Sequence, residues 1–333
     1  MCIFFEIRLH WLPLCKQKLL KVFSSIQEFD SSSATVVTLG TFDGVHIGHQ
    51  RILEKLTASA TVLGCESLVL TFFPHPRMVL QQDAEIKLLN TIEEKTLLLE
   101  KIGIENLVVH PFDEIFSQLT AEEFVKNILV DKFKIKKIII GYDHRFGRNR
   151  TASIDDLIRF GERYGFEVEQ ISAEEIDDVS VSSTKIRNAL DAGNISLANQ
   201  YLGYDYFFSG TVTEGKKLGR TIGFPTANIA IDQTYKLIPK KGVYIVSSVI
   251  DGKTVYGMMN IGVNPTVGGI LQSIEIHFFD FHQDLYNQKI TVTIYEKIRE
   301  EEKFPSVDAL KQQLVNDKRT SQRYISNRFR NEF

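Results

Sequence analysis

The tightest constraint on how this chain folds is the run Val36-Val37-Thr38-Leu39-Gly40-Thr41-Phe42-Asp43-Gly44-Val45-His46-Ile47-Gly48-His49. A β-branched stretch ends at Gly40, a loop follows, and the amphipathic run Arg51 to Leu56 begins just beyond two histidines. That order reads as strand, turn, helix N-terminus. Gly40 and Gly44 permit a tight turn and a close approach of backbone to a ligand. The N–H groups that open a helix have no partners inside it, and the dipole there favours an anion. A helix beginning near His46 and His49 puts both on one face. An imidazole so placed can donate to a phosphate oxygen and stabilise charge that develops during transfer. Without that chemistry, the same letters are a strand-to-helix turn with two surface histidines.

Residues 21–203 continue in the same alternating style. Thr35–Leu39 reads as a strand, and the helix after His49 runs to a cap at Gly64. Leu68 to Phe73 is a strand with the loop Pro74-His75-Pro76 at its end. Asn90 with Glu93 makes a capping box for a helix that stops at Gly103. Leu107–Val109 is a short strand, Thr120 with Glu123 opens another helix, and Lys137–Ile140 is a strand apolar enough to be buried on both faces. Ile154–Tyr164 is helical and Glu167–Ile171 is a last strand. Five strands with helical crossovers predict a doubly wound parallel sheet. Ligands bind such sheets at the carboxyl ends of the strands, where Thr41–His49, Pro74–Pro76 and Gly141–Gly147 would fall.

After Gly203 the pattern changes to strand-like runs without long helices: Phe207–Thr213, Gly242–Ile250, Thr254–Ile261, Ile274–Phe279 and Ile290–Ile298. Turn signals at Asp251-Gly252 and Gly268-Gly269 separate them. A small antiparallel barrel or sandwich is expected, closed by a helix from about Ser306, its N-cap, to Ile325. The length, 333 residues, suits two domains, and the 43% of hydrophobic residues can fill two cores. A net charge of −3 argues against a polybasic nucleic-acid or membrane surface. Cys2, Cys15 and Cys65 have neither metal-ligand nor disulfide-framework spacing, as in a reduced cytoplasmic protein. Met1 to Leu14 is apolar and aromatic but interrupted by Glu6, Arg8 and His10, so its uninterrupted apolar run is too short for a membrane span, and residues 1–20 lack a secretory cleavage pattern. They are expected to be an extension or a wrongly assigned upstream start.

Four stretches carry chemistry. Gly141-Tyr142-Asp143-His144-Arg145-Phe146-Gly147 follows a strand. Val181-Ser182-Ser183-Thr184-Lys185-Ile186-Arg187 opens a short helix, where hydroxyls and free N–H groups can cradle phosphates that Lys185 and Arg187 neutralise. Gly210 to Asn228 contains Gly215, Lys216, Gly219 and Arg220, a plausible phosphate-covering loop that is not a Walker A sequence. In Ile274-Glu275-Ile276-His277-Phe278-Phe279, period-2 alternation puts Glu275, His277 and Phe279 on one face.

Taken together, these stretches resemble the bacterial bifunctional riboflavin kinase/FAD synthetases over residues 21–333. Thr41–His49 is similar to the signature of the HxGH nucleotidyltransferases. The resemblance implies a Rossmann-like adenylyltransferase domain, residues 21–203, and a riboflavin kinase barrel, residues 204–333. It implies phosphorylation of riboflavin by ATP to FMN, then adenylylation of FMN to FAD with release of pyrophosphate, with Mg²⁺ as cofactor. The substrates would be riboflavin, FMN and ATP, with no nucleic acid or membrane partner. Glu275 would be the kinase base, and Thr226 and Asn228 the metal and phosphate ligands. His46, His49 and Arg187 would serve adenylyl transfer. Gly40, Thr41, Phe42, Asp43, Gly44, Ser183, Thr184, Lys185, Gly215, Lys216, Gly219 and Arg220 would line nucleotide phosphates. Asp143, Phe146, Asn260 and Arg299 would surround flavin. His144 stands where the family usually has an aromatic residue, and Asn149 and Ala152 where it usually has glycines. A flavin-binding or regulatory protein whose transferase half has decayed is the competing reading; a tRNA-synthetase-like ligase is another, which the acidic charge and the kinase-like second half oppose.

Overall fold

The structure is a computed structural model and describes residues 19–80, 86–141, 145–148, 151–172, 181–215, 218–266 and 269–330. Asp143, Lys216, His144 and Asn149 lie outside the described residues. By contacts the chain forms two compact units, and neither is continuous in sequence. The first takes residues up to Gly40, then Leu53–Phe73 and Thr96–Gln170; the second takes Thr41–Ile52, Pro74–Lys95 and everything from Ile171.

In the first unit, strands β1 (Lys21–Phe23), β2 (Thr35–Leu39), β3 (Glu66–Phe72), β4 (Asn106–His110), β5 (Ile135–Gly141) and β6 (Glu167–Ile171) form one sheet in the order β1-β4-β3-β2-β5-β6. The pairs β1/β4, β4/β3, β3/β2 and β2/β5 all run parallel. Every residue of β2 is buried, as a strand covered on both faces requires. Val37, Leu39, Leu68, Leu70, Val108 and Ile138 fill one core with Phe124, Leu129 and Phe133. The sheet has a sixth strand, β1, that pattern alone does not reveal: three residues are too few to show alternation, and pairing with β4 decides their conformation. The helix opened by the Thr120–Glu123 capping box continues as a π-helix over Phe124–Lys132.

The second unit is built on β7 (Phe207–Thr213), β8 (Ala227–Ala230), β9 (Gly242–Ile250), β10 (Lys253–Thr266), β11 (Gly269–Phe278) and β12 (Lys289–Arg299), closed in the order β10-β11-β8-β7-β12-β9. All its pairings are antiparallel, so the barrel, not the sandwich, is the outcome. Alternation along β11 sends Ile274, Ile276 and Phe278 into the main core with Tyr244, Val246 and Val292. His277 lies on the other side, its ring 5.1 Å from Phe224 and 5.9 Å from Phe279. The final helix, Val307–Arg328, is capped by Ser306, whose Oγ accepts from the Ala309 N–H at 3.1 Å. Helices Ser183–Ala192 and Ile195–Leu202 pack against the same core through Ile186, Leu190 and Leu202, each ending on a glycine in the left-handed region, Gly193 and Gly203.

Candidate active sites

Two constellations stand in the second unit. The first is the loop Thr41–His49. Its helix begins at Ile47, so His46 precedes the first turn and His49 lies within it. The His46 Nδ1 accepts from the His49 N–H at 3.4 Å, and the two rings stack with centroids 3.6 Å apart. His46 is only 6% exposed, which disposes of the surface-histidine reading. Gly44 has φ +86°, and a Cβ there would come within 2.6 Å of Leu89 Cδ1. Phe42 (φ 45°) and Val45 (φ 37°) are also left-handed without being glycine, and a β-branched residue held there marks a constrained turn. Gly40 stays out of that region; its N–H continues the sheet ladder to Leu70 O at 3.1 Å, so the turn rests on Gly44 and not on Gly40.

Asp43 ties the loop to its surroundings. Its Oδ2 meets Arg187 Nη2 at 2.5 Å, and its Oδ1 accepts from the Leu89 N–H at 2.9 Å and the Asn90 N–H at 3.4 Å. The Asp43 side chain is 3% exposed, so the carboxylate works as an anchor for Arg187 and for the backbone of residues 89–90. Arg187 Nε donates to Lys87 O at 2.9 Å. Ser183 Oγ donates to Asp43 O at 2.9 Å, Tyr204 OH to Gly44 O at 2.7 Å, and Lys95 Nζ to Thr41 O at 2.7 Å. Ser182, not Ser183, caps the helix by accepting from the Lys185 N–H, while Thr184 and Lys185 are exposed on the first turn.

Burial dominates the titration of this cluster. It pulls His46 down to about 4, against the opposing pull of Asp43. His49 is held well below the ordinary imidazole value by burial, then by charge at His46 and Lys95. His75 falls to about 4 through burial, which Asp43 counters and Arg187, Lys95 and Arg77 assist. Lys95 is pushed down to about 8 by burial against the pull of Asp43. At neutral pH the histidines are therefore neutral, each with one N–H to give. The His49 Nδ1 is buried without a hydrogen-bond partner, a polar atom in a position that suits a ligand.

The second constellation is on the barrel. Glu275 pairs in register with Asn260 on β10 and with Asn228 on β8. The Thr226 hydroxyl donates to Glu275 Oε2 at 3.3 Å. His277 Nδ1 lies 2.8 Å from Pro225 O, fixing the turn that presents Thr226. Gly215 passes so close to Asn228 that a Cβ there would lie 2.1 Å from its amide nitrogen, and one at Gly219 would lie 2.2 Å from Phe224 O. These glycines are needed for close approach of loop to loop. Arg220 is exposed on the short helix Leu218–Thr221, which also holds Gly219. Among the described residues no group of three or more His, Cys, Asp or Glu side chains could hold a metal.

Two expected flavin neighbours, Phe146 and Arg299, make defined contacts within the protein. Phe146 is 7% exposed and packs in the first unit's core with Phe124, centroids 6.1 Å apart. Its backbone pairs with Ala152, whose methyl fills the same core. Arg299 gives its guanidinium to Asp317 on the last helix (Nη2 to Oδ2 2.8 Å, Nε to both oxygens at 3.1 Å) and to Glu300 O. Sequence reasoning passed over Lys95, Glu94, Tyr204 and Lys236, whose burial has no local signal.

The FAD synthetase family model matches residues 28–185 and the riboflavin kinase family model residues 202–325. A bifunctional riboflavin kinase/FMN adenylyltransferase from Listeria monocytogenes is 38% identical over 87% of this chain and 92% of its own length. The chain belongs to that family. Its counterparts in Pseudomonas fluorescens (40% identity, 85% of this chain and 90% of that one) and Bacillus subtilis (36%, 90% and 95%) cover both halves as well. A solved structure titled as a macrolide-efflux protein from Streptococcus pneumoniae is 31% identical and has a TM-score of 0.83 over 91% of this chain and 98% of that one. No helix among the described residues of the present family member is long and apolar enough to cross a membrane.

Proposed function

We propose that the chain makes FMN and then FAD. The kinase half, from about residue 204, transfers the γ-phosphoryl group of ATP to riboflavin. The riboflavin 5′-hydroxyl oxygen forms the new bond to phosphorus, the bond from γ-phosphorus to the bridging oxygen breaks, and ADP leaves. Glu275 takes the hydroxyl proton, and the observation that carries this assignment is its placement beside Thr226 and between Asn228 and Asn260. Thr226 and Asn228 offer neutral oxygens that suit Mg²⁺ shared with phosphates. Mg²⁺ held there together with ATP would supply neutralisation of the phosphate charge.

The adenylyltransferase half, to about residue 203, lets a phosphate oxygen of FMN attack the α-phosphorus of ATP, with pyrophosphate leaving. No protein nucleophile is needed; positioning and charge stabilisation suffice. His46 and His49 donate to phosphate oxygens, and Arg187, held by Asp43, supplies positive charge. Asp143 and Lys216 are assigned to flavin and phosphate by resemblance alone. The cysteine usage, without disulfide-framework spacing, supports a cytoplasmic location.

Isotope transfer tests both halves. With riboflavin and Mg-ATP, label from γ-phosphate should enter FMN, and label from α-phosphate should enter only FAD. Incorporation of γ-label without α-label would remove the transferase assignment.

A further inference from the structure

Residues 87–94 form a strap with two differently bonded sides. On one side lies the Thr41–His49 loop: Leu89 and Asn90 give their N–H groups to Asp43, Lys87 O accepts from Arg187, and Leu89 packs on Gly44. On the other lies the segment that leads into β9. Leu88 and Lys236 form a parallel bridge, with Leu88 N–H to Tyr235 O at 2.7 Å and Leu237 N–H to Leu88 O at 2.8 Å. Lys87 Nζ donates to Thr234 O at 2.8 Å.

The strap is locked by a buried ion pair. Lys236 Nζ meets Glu94 Oε2 at 2.6 Å, with side chains 0% and 1% exposed. The same ammonium donates to Leu89 O at 2.6 Å and Phe207 O at 2.9 Å and stands 4.5 Å from the Tyr206 ring centroid. Glu94 is equally committed: its Oε1 accepts from the Ser209 N–H at 2.8 Å, and its Oε2 accepts from the Thr91 N–H at 3.0 Å. All three ammonium donors thus have acceptors. A pair this deep is costly to desolvate and is often replaceable by apolar residues without loss of stability. Its geometry fixes the backbone of residues 88–91, which Asp43 uses to hold Arg187.

We infer that Lys236 and Glu94 are positioning residues for adenylyl transfer, so that a residue of the riboflavin kinase match sets the geometry of the other site. This rests on the proposed adenylyl-transfer reading of His46, His49 and Arg187. Neither residue touches Glu275, Thr226 or Asn228 among the contacts of the barrel site, so the kinase reaction should not need them.

The test uses full-length protein at a temperature where circular dichroism shows it folded. Lys236→Met should lower kcat for FAD formation from supplied FMN about tenfold, while riboflavin phosphorylation stays within about twofold. Glu94→Gln keeps the acceptor oxygen and the shape, and should give a smaller loss in the same direction should Lys236→Met fail to fold. A merely structural pair would lower the melting temperature and leave the ratio of the two activities unchanged, which would overturn the inference. Wild-type protein that forms no FAD from FMN would overturn the functional reading and the inference together; wild type that does, with both variants matching it, would overturn the inference alone.

Discussion

The two constellations differ in how complete they are without a ligand. Around Asp43 nearly every group is already held by another: carboxylate to guanidinium, hydroxyls to carbonyls, imidazole on imidazole. Around Glu275, among the described residues, one hydrogen bond of 3.3 Å joins its carboxylate to Thr226. The first is prebuilt, so that positive charge and N–H donors stand in place before charge develops. The second carries fewer such bonds, and in the proposed reaction Glu275, Thr226 and Asn228 would be drawn together by metal and phosphate. Damage should therefore stay local to each site, though the first should couple to stability more strongly.

The largest effect expected is at the loosely bonded site. Glu275→Gln should reduce FMN formation about 10³-fold, the order of a general base, and leave FAD formation from supplied FMN nearly intact. Equal loss of both activities would break the separation. Next, His46→Ala should cost adenylyl transfer about 10²-fold, as for a lost transition-state donor, and spare the kinase. FMN formation falling in step would contradict the assignment.

Smaller effects sharpen the contrast in stability. Asp317→Asn breaks the pair with Arg299, whose partner is 1% exposed, and should lower stability by about 3 kcal/mol. An unmoved urea midpoint would show that the last helix does not depend on it. Acid should act on the prebuilt site. The unfolded chain binds protons near pH 6.5 on imidazoles that the folded protein leaves neutral until about 4 at His46 and His75. The unfolded state thus holds more protons in that window, and stability falls as pH drops from about 6.5 towards 4, by about 2 kcal/mol per histidine at pH 5. Urea unfolding at pH 7 and pH 5 should show His46→Gln losing less than wild type; equal losses would mean His46 is not buried neutral.

The contrast between the sites also explains what was legible in the chain. The strand, turn and helix around His46 were readable because backbone pattern and chemistry share one short run, and alternation along β11 correctly separated Glu275 and His277 from Ile274 and Ile276. The capping box at Thr120–Glu123 was readable because it is local. The one expected at Asn90–Glu93 forms one residue later, Thr91 with Glu94; two overlapping pairs share the spacing, and the buried Lys236 selects between them. Strands β1 and β8, of three and four residues, exist through their partners and carry no period of their own. Lys95, Glu94 and Lys236 carry no signal of burial in the sequence, since a sequence records a charge but not the partner that allows its burial. The Arg299–Asp317 pair is likewise invisible in the sequence, because its partners lie on separate elements.

The most direct test follows purified protein, riboflavin and Mg-ATP over time, with FMN and FAD separated by chromatography. FMN should appear first and then decline as FAD rises. FMN that accumulates with no FAD would contradict the claim that both constellations are active in one chain.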